Sequence, residues 1–269
     1  MNKTAATHFR RERGDEIKKL ADLLKRKGVL QDPEPLLSAA ASCSTPPSLL
    51  EEFKSSKTRK GLEFWSYQIS SLLFREVDKD CLKHSVPSDL AEVQITLNAY
   101  IYGVCLDDDP RDVNNPFVQL SINIETSALD KRKNVLRCAW HLDKNIVEKG
   151  DKLSKFAHPD YHFQHGGIRV RNITNYGENL LLDAPRLAHP PLDGILAVDF
   201  VLSNYFGSKW IELRDDSEYQ KIVRAAQERC WSAYAFSTAM EWRSPINWND
   251  LGFVSNWKAN LIWAQIINK

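Results

Sequence analysis

The chain reads as an α+β protein: N-terminal helices, a central antiparallel sheet, and C-terminal helices packed on one sheet face. Three observations carry that expectation. Apolar residues recur at helical spacing near the N-terminus. The period then drops to two, and strand-like segments follow one another without helices between them, which argues for an antiparallel meander rather than parallel βαβ units. The helical period returns after Pro190-Pro191, a dipeptide well suited to a first helical turn.

Residues 15–28 predict an amphipathic helix. Ile17, Leu20, Leu23 and Leu24 line one side, Lys and Arg fill the other, and Gly28 is placed as a C-cap. Residues 1–30 carry nine Lys/Arg against four Asp/Glu. That excess reads as a solvated helix face in preference to a nucleic-acid arm. Residues 31–48, rich in Pro, Ser and Ala, form a loop or a short helix between two loops. Residues 48–78 read as helical again through Leu49, Leu50 and Phe53, then Phe64, Trp65, Ile69, Leu72, Leu73 and Phe74. Residues 1–85 are accordingly expected to be a helical N-terminal region.

An α+β main domain is expected over 86–269, with the meander at 91–183 and helices at 190–269. Val93, Ile95, Leu97, Ala99 and Ile101 alternate with polar partners, the signature of a strand with one buried face. After the acidic turn at 107–112, a second strand alternates Phe117, Gln119, Ser121, Asn123 and Glu125 against Val118, Leu120, Ile122 and Ile124. Asn134–Leu142, Tyr161–Ile173 (split by Gly166-Gly167) and Asn179–Leu182 complete the sheet. A largely buried helix runs from Leu192 to Phe206, ending at Gly207. A longer helix opens near Ser217-Glu218.

Composition narrows the function classes. A net charge of +1 gives no global basic field for nucleic acid. The basic N-terminus has no apolar segment behind it and is not a secretory signal. No run approaches the ~18 apolar residues of a membrane span. The five cysteines are odd in number, far apart and without a C-x-x-C, which fits a reducing cytoplasm better than a disulfide framework.

Chemistry is expected where five of the seven histidines gather, between His141 and His189, because imidazole titrates near neutrality and is the commonest metal ligand. His158 and His162 are four apart, but Pro159 pushes His158 toward extended backbone and undermines a helical metal motif. On a strand, His162 and Gln164 share one face and His165 points to the other. Asp143, Asp160 and Asp183 could complete a shell from other strands; the sequence assigns no metal ligand and identifies no cofactor. Acid/base chemistry on a phosphodiester suits the segment better. His162 and His165 are the catalytic candidates, with Arg169, Arg171 and Arg186 as phosphate contacts.

Gly166-Gly167 belongs to no P-loop and reads as a bulge or turn. Asp193 is expected to cap a helix and Asp199 to pair with an arginine. No G-x-S-x-G is present, and no cysteine sits in an activating context. Five of the eight tryptophans lie C-terminal to residue 230. Most are expected in the core, with Trp242 and Trp248 as interface anchors.

Trp140-His-Leu-Asp143, the run His158–Gly167, and Leu187–Asp193 followed by Asp199–Phe206 resemble uncharacterised bacterial proteins of anti-phage defence, toxin–antitoxin and mobile-element loci. The resemblance covers residues 134–210. It implies a bacterial cytoplasmic setting and a multi-gene system, and it supplies no catalytic residue. Two functions follow. One is an interaction or regulatory subunit that binds a protein partner, with nucleic acid as a further ligand. The other is a phosphodiesterase or nuclease-type effector using the His/Arg site. Near-neutral charge and the lack of a catalytic signature rank the subunit first.

Overall fold

The structure is a computed structural model that describes residues 2–50, 62–83, 85, 88–106, 114–144, 159–166 and 187–242. It is α+β as expected. Two helices come first, α1 (Lys3–Arg26) and α2 (Glu34–Cys43). Six strands follow: β1 (Phe64–Phe74), β2 (Ala91–Val104), β3 (Phe117–Leu129), β4 (Val135–Lys144), β5 (Tyr161–His165) and β6 (Leu187–Ala188). They make one antiparallel sheet in simple sequential order. Then come α3 (Gly194–Tyr205), α4 (Gly207–Arg214) and α5 (Ser217–Trp242). No described helix is long and apolar enough to cross a membrane.

The first helix starts twelve residues earlier than residue 15, at Lys3, where the Asn2 side chain accepts from the Ala5 amide at 2.9 Å. Its early turns hide their buried face in sequence because that face carries arginines. Arg10 and Arg13 are buried, and Arg10 Nη1 donates to the Phe64 carbonyl at 2.8 Å, tying α1 to the end of β1.

The helical expectation over 48–78 is corrected at Phe64–Phe74, which is a strand paired with β2. The register shifts between Ile69 and Leu72, and Ser71 sits at φ 55° with its amide donating to Asn98 Oδ1 at 2.9 Å. This bulge inserts an extra residue, so Ile69 and Leu72, three apart, both reach the core. A three-residue apolar spacing is what a helix would also show. Residues 51–61 of that expectation lie outside the described residues.

β2 alternates as predicted, with Ile95, Leu97, Ala99 and Ile101 buried. β3 does so from Leu120 onward, but Phe117, expected with the polar set, is buried. A second register shift, between Tyr102 and Gly103, turns Phe117 to the apolar side, 6.2 Å from the Trp65 ring.

The apolar face is covered by α3, whose residues Gly194–Asp199, Val201 and Leu202 are all buried. Gly194 permits the close seating: a Cβ there would lie 2.7 Å from Ile69 Cδ1 and 2.8 Å from Tyr67 Cε2, while its amide donates to the Tyr67 hydroxyl at 2.7 Å. Asp193 caps α3 as expected, its Oδ1 accepting from the Leu196 amide at 2.9 Å. Its Oδ2 lies 3.3 Å from Arg229 of α5, which also meets Glu16 of α1 at 2.9 Å. Burial works to lower the Arg229 pKa, but Asp193 and Glu16 outweigh it and raise it. Asp199 pairs with Arg214 at 2.8 Å, again as expected, and also accepts from Trp210 and Tyr219.

Asp193→Ala is expected to cost about 3–5 kcal/mol in urea unfolding, because Arg229 is left mostly buried with a single carboxylate. Asp193→Asn, which keeps a good cap, should fall between that variant and the parent. Equal midpoints for all three proteins would show that this contact does not hold α3 in place.

Candidate functional site

The strand pair β4–β5 separates the predicted histidines. Trp140 pairs with His165, Leu142 with Phe163, and Asp143 with His162. Side chains alternate along each strand, so His162 lies on the sheet face opposite to His165.

His165 belongs to the aromatic, helix-covered face. Its ring is 4.8 Å from that of Trp140, and its Nε2 is 3.3 Å from Cys138 Sγ. Trp140 stacks on Phe163 at 5.1 Å, and Phe163 meets Phe200 of α3 at 5.3 Å. The expected His162/His165 acid/base pair is therefore not assembled. Burial pushes the Cys138 thiol up, so the neighbouring imidazole does not make it a ready nucleophile.

The polar face holds His162 with different partners. Two transverse rows cross the sheet: Asn98, Asn123, His141 and Gln164, and beside it Tyr100, Ser121, Asp143 and His162. His141 and Asp143 are two apart on β4, with Nε2 3.6 Å from Oδ2. The rings of His141 and His162 are 6.1 Å apart and nearly perpendicular. One ligand atom from each of His141, Asp143 and His162 lies within 4.8 Å of the others. His162 is 4% exposed, the His141 side chain 14% and that of Asp143 35%. The site is thus open at the carboxylate and closed around the imidazoles. On the neighbouring strand β3, Asn123 Nδ2 donates to Ser121 Oγ at 3.3 Å.

Other predicted residues fall elsewhere. Asp160 meets Lys144 at 3.9 Å and Asn115 at 3.5 Å, and burial raises its pKa against the pull of Lys144. Gly166 follows β5 at φ 97°, its amide donating to the Ala139 carbonyl at 2.8 Å and so extending the pairing with β4. His189 lies on the aromatic side, 5.4 Å from the Phe163 ring. Its Nδ1 is 2.7 Å from the Pro190 carbonyl and must be the donor. His158, Gly167, Arg169, Arg171, Asp183, Arg186, Trp248 and the strand expected at 179–182 lie outside the described residues, as does the side chain of Trp242. Trp231 donates to the Pro191 carbonyl at 2.9 Å and packs against the core.

Sequence reasoning missed His141 as a partner. The available clue was His141-x-Asp143 inside a period-two segment, which fixes the two side chains on one face. Which residue of the next strand lies opposite them is a matter of register, which that segment does not encode.

Comparison with protein families, curated proteins and solved structures finds no match to this chain.

Burial lowers the His189 pKa, and its bond to Pro190 offsets this only in part. The unfolded chain then binds a proton near pH ~6.5 that the folded chain resists. The contribution is complete above that pH and is lost as pH falls through it toward the lower folded value. Urea midpoints measured from pH 7.5 to 5 should therefore fall more steeply for the parent than for His189→Gln. Parallel curves would show that His189 does not titrate with folding.

Proposed function

We propose that the chain is a bacterial cytoplasmic effector enzyme of an anti-phage defence or toxin–antitoxin system. It cleaves phosphodiesters on the polar face of its sheet, with His141, Asp143 and His162 as the working centre. The observation that carries this reading is the convergence of two imidazoles and a carboxylate from adjacent strands on one face. Imidazole and carboxylate groups so placed can activate water. In the reaction the water oxygen bonds to phosphorus as the P–O ester bond breaks. One group of the centre takes a proton from the water, and the centre returns a proton to the leaving oxygen, so that protons balance.

Arg169 and Arg171 follow β5 in the chain and Arg186 immediately precedes β6. They keep their proposed role as phosphate contacts. The setting rests on the resemblance over 134–210, which spans all three centre residues. Five unpaired cysteines fit a reducing compartment. In such a system the effector meets a protein partner that restrains it. The regulatory-subunit reading shares that partner; the Trp242 side chain and Trp248, its anchors, lie outside the described residues.

The test follows from the two faces. Purified protein is assayed on quenched RNA and DNA oligonucleotides and on a chromogenic phosphodiester. His162→Ala should lower cleavage by about a hundredfold or more and relieve toxicity on expression, with cooperative melting retained. His165→Gln, on the other face, should cleave like the parent. Parent-like cleavage by His162→Ala would remove the enzyme reading.

A further inference from the structure

We propose that His141, Asp143 and His162 bind one divalent transition-metal ion of the zinc, manganese or iron class. The inference deepens the reading of this site as the working centre. Its catalytic consequence rests on that reading; the binding itself does not.

The donor spacing suits a shared ion. A charge-assisted bond between imidazole and carboxylate closes to roughly 2.7–2.9 Å. His141 Nε2 and Asp143 Oδ2 instead stand 3.6 Å apart. Two donors on a shared ion at ~2.1 Å are separated by about 3.0–3.4 Å, depending on coordination geometry. The pair is close to that spacing, and the whole set falls within 4.8 Å.

The scaffold suits a rigid site. Two ligands alternate on one strand, and the third is the direct cross-strand partner of Asp143. Backbone pairing therefore sets their spacing, without help from a loop. Asn123 and Gln164 flank His141 across the sheet. Their amide oxygens are of the type that steadies the outer nitrogen of a ligating imidazole.

Donor chemistry selects the ion. Magnesium and calcium take oxygen ligands, and two imidazoles of three donors disfavour both. Zinc, manganese and iron accept this set. The three ligands found among the described residues leave a coordination position for a water. The ion's contribution there is to lower the pKa of a bound water.

Chelator-treated full-length protein is titrated separately with Zn²⁺, Mn²⁺, Mg²⁺ and Ca²⁺ by calorimetry and thermal melting. One equivalent of Zn²⁺ or Mn²⁺ should bind and raise the melting midpoint, and Mg²⁺ and Ca²⁺ should not. His162→Gln and Asp143→Asn should each weaken binding by more than about a hundredfold. Both variants should still melt cooperatively without metal. His165→Gln should bind like the parent. Failure of Zn²⁺ and Mn²⁺ to bind stoichiometrically, or binding unchanged in both variants, overturns the site. Cleavage that survives chelation overturns the metal's catalytic role and leaves the phosphodiesterase reading standing. Metal bound at these residues with no cleavage supports the site and sinks that reading instead.

Discussion

The polar face depends on the register of three strands. Asn123 lies opposite His141, and Asp143 opposite His162, only because β3, β4 and β5 pair without a bulge. Slipping β5 by one residue would turn His162 toward the helices and present Phe163 to the polar side. Two devices resist that slip. On the apolar side, Ile122, Leu142 and Phe163 form one cross-strand row seated against the core. At the hairpin, Asp130 accepts from the Arg132 and Asn134 amides at 2.8 Å each, and Lys133 takes φ 61°. Hydrogen bonds from Asn134 hold the Asp130 carboxyl below its usual range. This short turn sets where β4 begins relative to β3, and so where His141 falls.

The opposite face supplies the clamp. α3 can lie flat on the sheet because Gly194 presents no side chain to Tyr67 and Ile69. Its first turn is then fixed from three directions: the Tyr67 hydroxyl, the Asp193 cap, and Arg229 between Asp193 and Glu16. Burying such charges carries a desolvation cost that their attraction offsets only in good geometry. What the arrangement contributes is position. Arg229 can satisfy both carboxylates only with α1, α3 and α5 in one mutual placement. Burial raises the Glu16 pKa against the pull of Arg229 and Arg13, so this contact is held tightest when Glu16 is ionised.

How much of this could be read beforehand follows from physics that is local in sequence. β2 and the body of β3 were legible because strict alternation reports a two-faced sheet, and α3 because an apolar run after Pro190-Pro191 has one ready reading. β1 was not, since the bulge at Ser71 replaces period two with a spacing of three between Ile69 and Leu72. The start of α1 was hidden for a related reason. Arg10 and Arg13 look like solvent residues, yet they are buried against a carbonyl and carboxylates. At the site, parity alone separated His162 from His165. Joining His162 to His141 and Asp143 required the β4–β5 register, which comes from the packing of the whole sheet.

The two faces of β4 and β5 therefore divide the histidine-rich segment by parity. Trp140, Leu142, Phe163 and His165 face the helices and belong to the fold. His141, Asp143, His162 and Gln164 share the other face, in the two polar rows that cross the sheet. Burying His162 and Gln164 on a polar face has a desolvation cost that an apolar residue would not carry. The concentration of imidazole, carboxylate and amide groups at one crossing of two strands is the feature on which the proposed chemistry rests. It sits where β4 and β5 pair without a register shift, so that backbone pairing sets the donor spacings.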